Sequence, residues 1–252
     1  MDVIRTVLLF AAGFGGGIAA SIAGGAALIT FPVLLGVGLP PIAANATNAV
    51  GLSLSCFTAA AADWHRRPSW NRSFSWLLGI NIVGGAIGAF LMLGTPGELL
   101  IRLVPVLVGG ATLLFALGPW IQRHLPSGRH AELHFAHVAF PIFLSSIYGG
   151  YFGAGIGVIN LAILSIGGLT DFRSTNVLKN ILITGVCASS VWVYVWQGAV
   201  VWPAMVALMA GSLGGGYAGG YLIRVLPPRG VRIGIIIFGT VVTVIYARRY
   251  WF

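Results

Sequence analysis

Ten apolar runs follow one another along this chain, at roughly 3–23, 26–38, 42–62, 73–93, 98–120, 133–152, 155–168, 173–197, 199–222 and 230–250. Most approach the ~20 residues that an α-helix needs to cross the hydrocarbon core of a bilayer. What lies between them cannot clothe a water-exposed surface. Asp, Glu, Lys and Arg make up 8% of the chain and hydrophobic residues 58%, whereas an ordinary globular domain carries about 25% charged residues. The pattern predicts an all-α polytopic membrane protein, and 252 residues leave no room for a soluble domain beside so many spans. The net charge of +9 comes from basic residues set singly, in twos or in threes between apolar runs. That is how membrane topology places them, so nucleic acid is not an expected partner. Val3–Ala20 lacks a basic leader and a small-residue cleavage site and reads as a first span rather than a removable signal.

Polar residues inside such runs are costly, and their default reading is functional. Two sets recur at one separation. Asn45, Thr47 and Asn48, continued to Cys56, have counterparts in Asn176, Lys179 and Asn180, continued to Cys187; Asn45 and Asn176, Asn48 and Lys179, and Cys56 and Cys187 each lie 131 positions apart. Spacings of 3, 7 and 11 residues from Asn45 or Asn176 put amide, amide or amine, and thiol on one helical stripe. The two stripes are expected to face each other and line a substrate path. The blander alternatives are inter-helix hydrogen bonding for the asparagines, snorkelling of Lys179 to the membrane surface, and burial of the thiols as small hydrophobes. Asn81 and Asn160 read as helix-to-helix glue. His130, His134 and His137 share a helical face, but without thiol or carboxylate support other than Glu132 they read as a solvated helix start. No metal and no cofactor are expected, and the two cysteines form no disulfide framework.

The same separation divides the chain into a first repeat at 1–122, a linker at 123–132 and a second repeat at 133–252, each repeat with five segments. One segment per repeat is short: Ala26–Gly38, closed by Pro40-Pro41, and Gly155–Gly168, closed by Thr170-Asp171. An odd number of segments inverts the second repeat. The loops agree in their charges: Arg66, Arg67 and Arg72 oppose an uncharged 195–202, and Arg224, Arg229 and Arg232 oppose a connection at 94–98 that holds only Glu98. By the positive-inside rule these arginines are cytoplasmic and both termini lie outside. Inverted repeats with interrupted helices are the build of secondary transporters, whose site sits at the midplane where half-helices meet. Gly24, Gly25, Gly155 and Gly157 flank the two short segments and are expected to break the helix and turn backbone amides towards a ligand. The sets Gly84, Gly85, Gly88 and Gly215, Gly216, Gly219 read as close helix packing.

In the run from Gly13 to Gly25, Pro32, Leu39-Pro40-Pro41, and then Ala44-Asn45-Ala46-Thr47-Asn48, with Asp171–Asn180 as its second copy, the chain resembles the TauE/SafE family of membrane transporters over essentially its whole length. The resemblance implies movement of a small anion, sulfite or an organosulfonate, usually outward, across a bacterial inner membrane. The expected partners are then the anion and the lipid bilayer, with a homodimer left open. The mechanism implied is alternating access, one repeat rocking against the other, and no enzymatic activity. Two alternatives stay open. An anion channel would show neither saturation nor trans-stimulation. A thiol-dependent sulfur-handling protein would need a base that neither stripe supplies.

Overall fold

The computed structural model describes residues 2–22, 25–62, 72–124, 135–167, 172–222 and 228–251. Among them the chain is helical throughout, in ten α-helices: α1 (Val3–Ile22), α2 (Ala26–Gly36), α3 (Pro41–Ala62), α4 (Arg72–Gly94), α5 (Gly97–His124), α6 (Phe135–Tyr151), α7 (Ile156–Ile166), α8 (Phe172–Trp196), α9 (Trp202–Leu222) and α10 (Pro228–Trp251). Among the described residues five stretches are long and apolar enough to cross a membrane: Val3–Ala20, Arg72–Gly94, Gly97–Ile121, Thr175–Trp196 and Gly230–Trp251. Large apolar side chains such as Val3, Phe10, Phe90, Leu113, Phe140 and Ile237 stand exposed around the outside, as they do where lipid is the solvent. Helix α5 runs on through Arg123 and His124, with His124 Nδ1 2.8 Å from Trp120 O. Basic residues at a helix C-terminus suit its dipole.

Two helix pairs are packed most closely, α1 with α9 and α4 with α6, each running parallel. In α1 and α9 the glycines interlock: a Cβ at Gly13 would strike Leu208 O, one at Gly17 Ser212 O, one at Gly211 Phe10 O and one at Gly215 Phe14 O. In α4 and α6 a Cβ at Gly84 would strike Ser146, one at Gly88 Ile147 O and one at Gly150 Gly85 O. Lipid supplies no hydrophobic drive between helices, so the absence of side chains at these crossings is what lets backbones approach and gain dispersion energy. Gly88→Leu is therefore expected to destabilise the protein by at least the ~1–3 kcal/mol typical of overpacking, because the obstacle is backbone. Gly94→Leu, with nothing near its added Cβ, should be neutral. Thermal unfolding of the two variants in detergent checks this; equal unfolding temperatures would contradict the packing argument.

The remaining contacts gather α1, α2, α3 and α9 into one bundle and α4, α6, α7 and α8 into another, with α5 and α10 paired antiparallel beside them. Thr243 lies beside Gly109, Thr112 beside Gly239, and Trp251 Nε1 donates to Arg102 O at 3.0 Å. Each bundle thus borrows one helix from the other half of the sequence. The bundles meet along α3 and α8.

Candidate functional site

The seam between the bundles is antiparallel. Asn45 near the start of α3 reaches Tyr194 near the end of α8, while Cys56 near the end of α3 meets Thr184 and Cys187 in the middle of α8. The two thiols, at equivalent places in the two sequences, are 2.8 Å apart and are free cysteines. Thr184 Oγ1 donates to both Cys56 O at 3.1 Å and Asn180 O at 2.9 Å. The polar stripes therefore meet only at their cysteine ends. From there they diverge, because equivalent residues on antiparallel helices move apart as one counts back along each. Asn48 and Lys179 each stand eight residues, or ~12 Å of helix rise, before the cysteine of their own helix.

At the α3 end, Asn45 is buried and its amide nitrogen donates to Tyr151 O at 2.9 Å and Tyr194 Oη at 3.2 Å. Tyr194, fully buried, donates in turn to Gly150 O at 2.7 Å. Asn45 and Tyr194 thus satisfy two C-terminal carbonyls of α6, Tyr151 O and Gly150 O respectively. Buried Thr47 accepts from Val201 N–H at 3.0 Å and fixes the turn into α9. Asn48 takes the Thr30 hydroxyl on its oxygen at 2.6 Å, and Thr30 also bonds Ala26 O at 3.0 Å.

At the α8 end, Lys179 donates to Asn176 Oδ1 at 2.6 Å, and Asn180 is half-buried next to it. A Cβ on Gly157 would lie 4.0 Å from Lys179 Nζ. Lys179 therefore stands against the first turn of α7. Gly157 N–H meets no acceptor among the described residues. No described carboxylate pairs with Lys179; the one described ion pair is Arg5 with Asp2, on the exposed end of α1.

Both short helices begin on a glycine in the left-handed region, Gly25 at φ 88° and Gly155 at φ 84°, with no side-chain cap. That conformation costs a side-chain-bearing residue ~1–2 kcal/mol, and here it turns the chain sharply into each short helix. Both starts abut the same stretch of α5: the Phe115 ring covers Gly25, while Leu114 and Ala111 O lie by Gly155. Arg232 from α10 closes the group, its guanidinium 4.7 Å from the Phe115 ring centre and hydrogen-bonded to Phe115 O. Gly24 lies outside the described residues, as do the side chains of His130, His134 and His137. Among the described residues no cluster of metal-binding side chains occurs.

Three participants were not singled out from the sequence. Thr30 and Tyr194 sit in apolar runs where nothing local marks them. Arg232 carried only a topological reading, although its position inside the α10 apolar run distinguishes it from a loop arginine. Asn81 is glue as expected, donating to Leu77 O at 2.8 Å and accepting from Ser146 at 2.9 Å. A cleft of about 270 Å³ among Ile18, Ile29, Val231 and Phe238 is apolar and is lined by no residue of either stripe.

A sequence profile of the family described as "Sulfite exporter TauE/SafE" matches residues 9–246. The chain belongs to that family. Among curated relatives it is similar to a "Probable membrane transporter protein" of Haemophilus influenzae, 27% identical over 94% of this chain and 92% of the relative. It is also similar to "Probable membrane transporter protein YfcA" of Escherichia coli, 29% identical over 94% and 87%, and to "Probable membrane transporter protein ORF9" of a Sinorhizobium species, 29% identical over 84% and 80%. No solved structure matches. As a TauE/SafE chain with several apolar spans this is a multi-pass membrane transporter.

Proposed function

We propose that this transporter moves a small oxyanion, sulfite or a small organosulfonate, out of the cell by alternating access. The observation that carries the reading is Lys179. An ammonium in an apolar interior is expensive, and the partly positive start of a helix beside it raises the cost further. An anion held between Lys179 and the unpaired amide of Gly157 removes both penalties. Export agrees with energetics, since an outgoing anion gains ~2.3 kcal/mol per charge per 100 mV of inside-negative potential. The thiol contact favours a carrier over a channel, because sulfurs 2.8 Å apart leave no passage between the two polar ends of the seam.

We read the two halves as an inverted repeat in an inner membrane. The antiparallel course of α3 and α8 supports this, as does the meeting of equivalent cysteines. The rocking bodies differ from the two halves of the sequence. They are α1–α3 with α9, and α6–α8 with α4, because the interlocked glycines hold those groups together. With Cys56 and Cys187 replaced by serine, Pro68→Cys and Leu226→Cys should both label from the cytoplasmic side only. Labelling from opposite sides would overturn the inversion. The function itself is tested in proteoliposomes with sulfite, sulfoacetate and methanesulfonate: saturable, trans-stimulated flux is expected, and flux that neither saturates nor responds to trans substrate would indicate a channel.

A further inference from the structure

Asn160 is fully buried in the second turn of α7, and its amide nitrogen is the one buried side-chain nitrogen or oxygen without a hydrogen-bond partner among the described residues. Its oxygen is taken by the hydroxyl of Ser145 on α6. A protein does not leave such a donor empty without cost, least of all where lipid surrounds it. The first half shows what this position faces. Gly25 and Gly155 start the two short helices, so Thr30 and Asn160 are equivalent, each five residues on. Thr30 reaches from α2 to Asn48 on α3 at 2.6 Å. The residue equivalent to Asn48 on α8 is Lys179. Three residues before Asn160, and so on neighbouring ground of the helix, Gly157 faces Lys179 Nζ.

The two half-sites thus differ in chemistry. In the first, a hydroxyl donor meets an amide oxygen, and neither group is charged. In the second, an ammonium held by Asn176 Oδ1 stands against the first turn of α7, and the next turn of that helix carries the unpartnered amide N–H₂ of Asn160. Unspent donors around one cation select a ligand with several acceptor oxygens and a negative charge, and they reject cations.

We propose that Asn160 is a substrate-binding residue: its amide N–H₂ and Lys179 bind the oxygens of one small oxyanion at the first turns of α7, making the site one-sided. The proposal rests on the anion-transport reading given above. It is tested by sulfite and methanesulfonate binding to detergent-purified protein, with Asn160→Thr, Asn160→Leu and Ser145→Ala. Asn160→Thr places there the residue that α2 carries, so it should fold even if Asn160→Leu does not. Loss of a hydrogen bond to a charged ligand is expected to weaken binding about tenfold or more in Asn160→Thr, with Ser145→Ala affecting affinity far less. If wild type binds and Asn160→Thr binds as tightly, Asn160 is structural only and the transport reading stands. If wild type binds neither anion, the transport reading fails and takes this proposal with it.

Discussion

Oxidation of the Cys56–Cys187 pair is expected to abolish transport, and reduction to restore it. The sulfurs already touch across the α3–α8 seam between the two bundles. Diamide would accept the two protons and two electrons released as the thiols join, leaving one covalent link between α3 and α8. In a carrier whose bundles rock about that seam, the link removes the motion. The expected fall is at least tenfold in flux, with substrate affinity little changed, because the polar ends lie ~12 Å of helix rise away on either side. Cys56→Ser should transport normally and ignore diamide. Counting free thiols with a maleimide-polyethylene glycol reagent follows the reaction on a gel. Undiminished flux in fully cross-linked protein would show that α3 and α8 do not move relative to each other near the cysteines.

The second large effect falls on Lys179, the single lysine of the chain. Lys179→Met is expected to leave a folded protein, since it removes a costly charge from an apolar interior. It should weaken anion binding by about 10- to 100-fold, the range for a lost hydrogen bond to a charged group. Lys179→Arg should recover only part of that. A planar guanidinium beside Gly157 does not place its donors where a compact ammonium does. If Lys179 merely snorkels, both variants should bind and transport as wild type does. Affinity by thermal shift and initial rates of flux decide between the two.

The cysteine meeting was legible because a fixed separation of 131 residues ties Cys56 to Cys187 and Asn45 to Asn176. Both short helices, with glycines at their starts, were legible from where the apolar runs stop. Their alignment was not. Gly25 rather than Gly24 stands with Gly155, a separation of 130 residues (155 − 25), because the connection from α2 to α3 differs by one residue from that between α7 and α8. The exchange of α4 and α9 between bundles was also hidden. A glycine-lined face tells that a backbone will come close, not which helix brings it. The amide of Asn45 looked like a ligand group and is bonded to Tyr151 O and Tyr194. Its partners lie 106 and 149 residues away, where spacing along one helix carries no information. Asn160 presents the opposite case. Taken for glue, it holds Ser145 with one end of its amide while the other end has no partner among the described residues.

The pairing of α1 with α9 also sets a timetable for biogenesis. Val3–Ile22 enters the membrane before Trp202–Leu222, the helix that fills its glycine face, which follows roughly 200 residues later. At ~5–20 residues per second of elongation, that face waits on the order of ten seconds or more with lipid, or a chaperone of the insertion machinery, in its partner's place. Helices α4 and α6 wait far less, with only α5 and the linker between them. The second bundle, whose last helix α8 precedes α9, can therefore be complete before the first and give α1 a structure to close against.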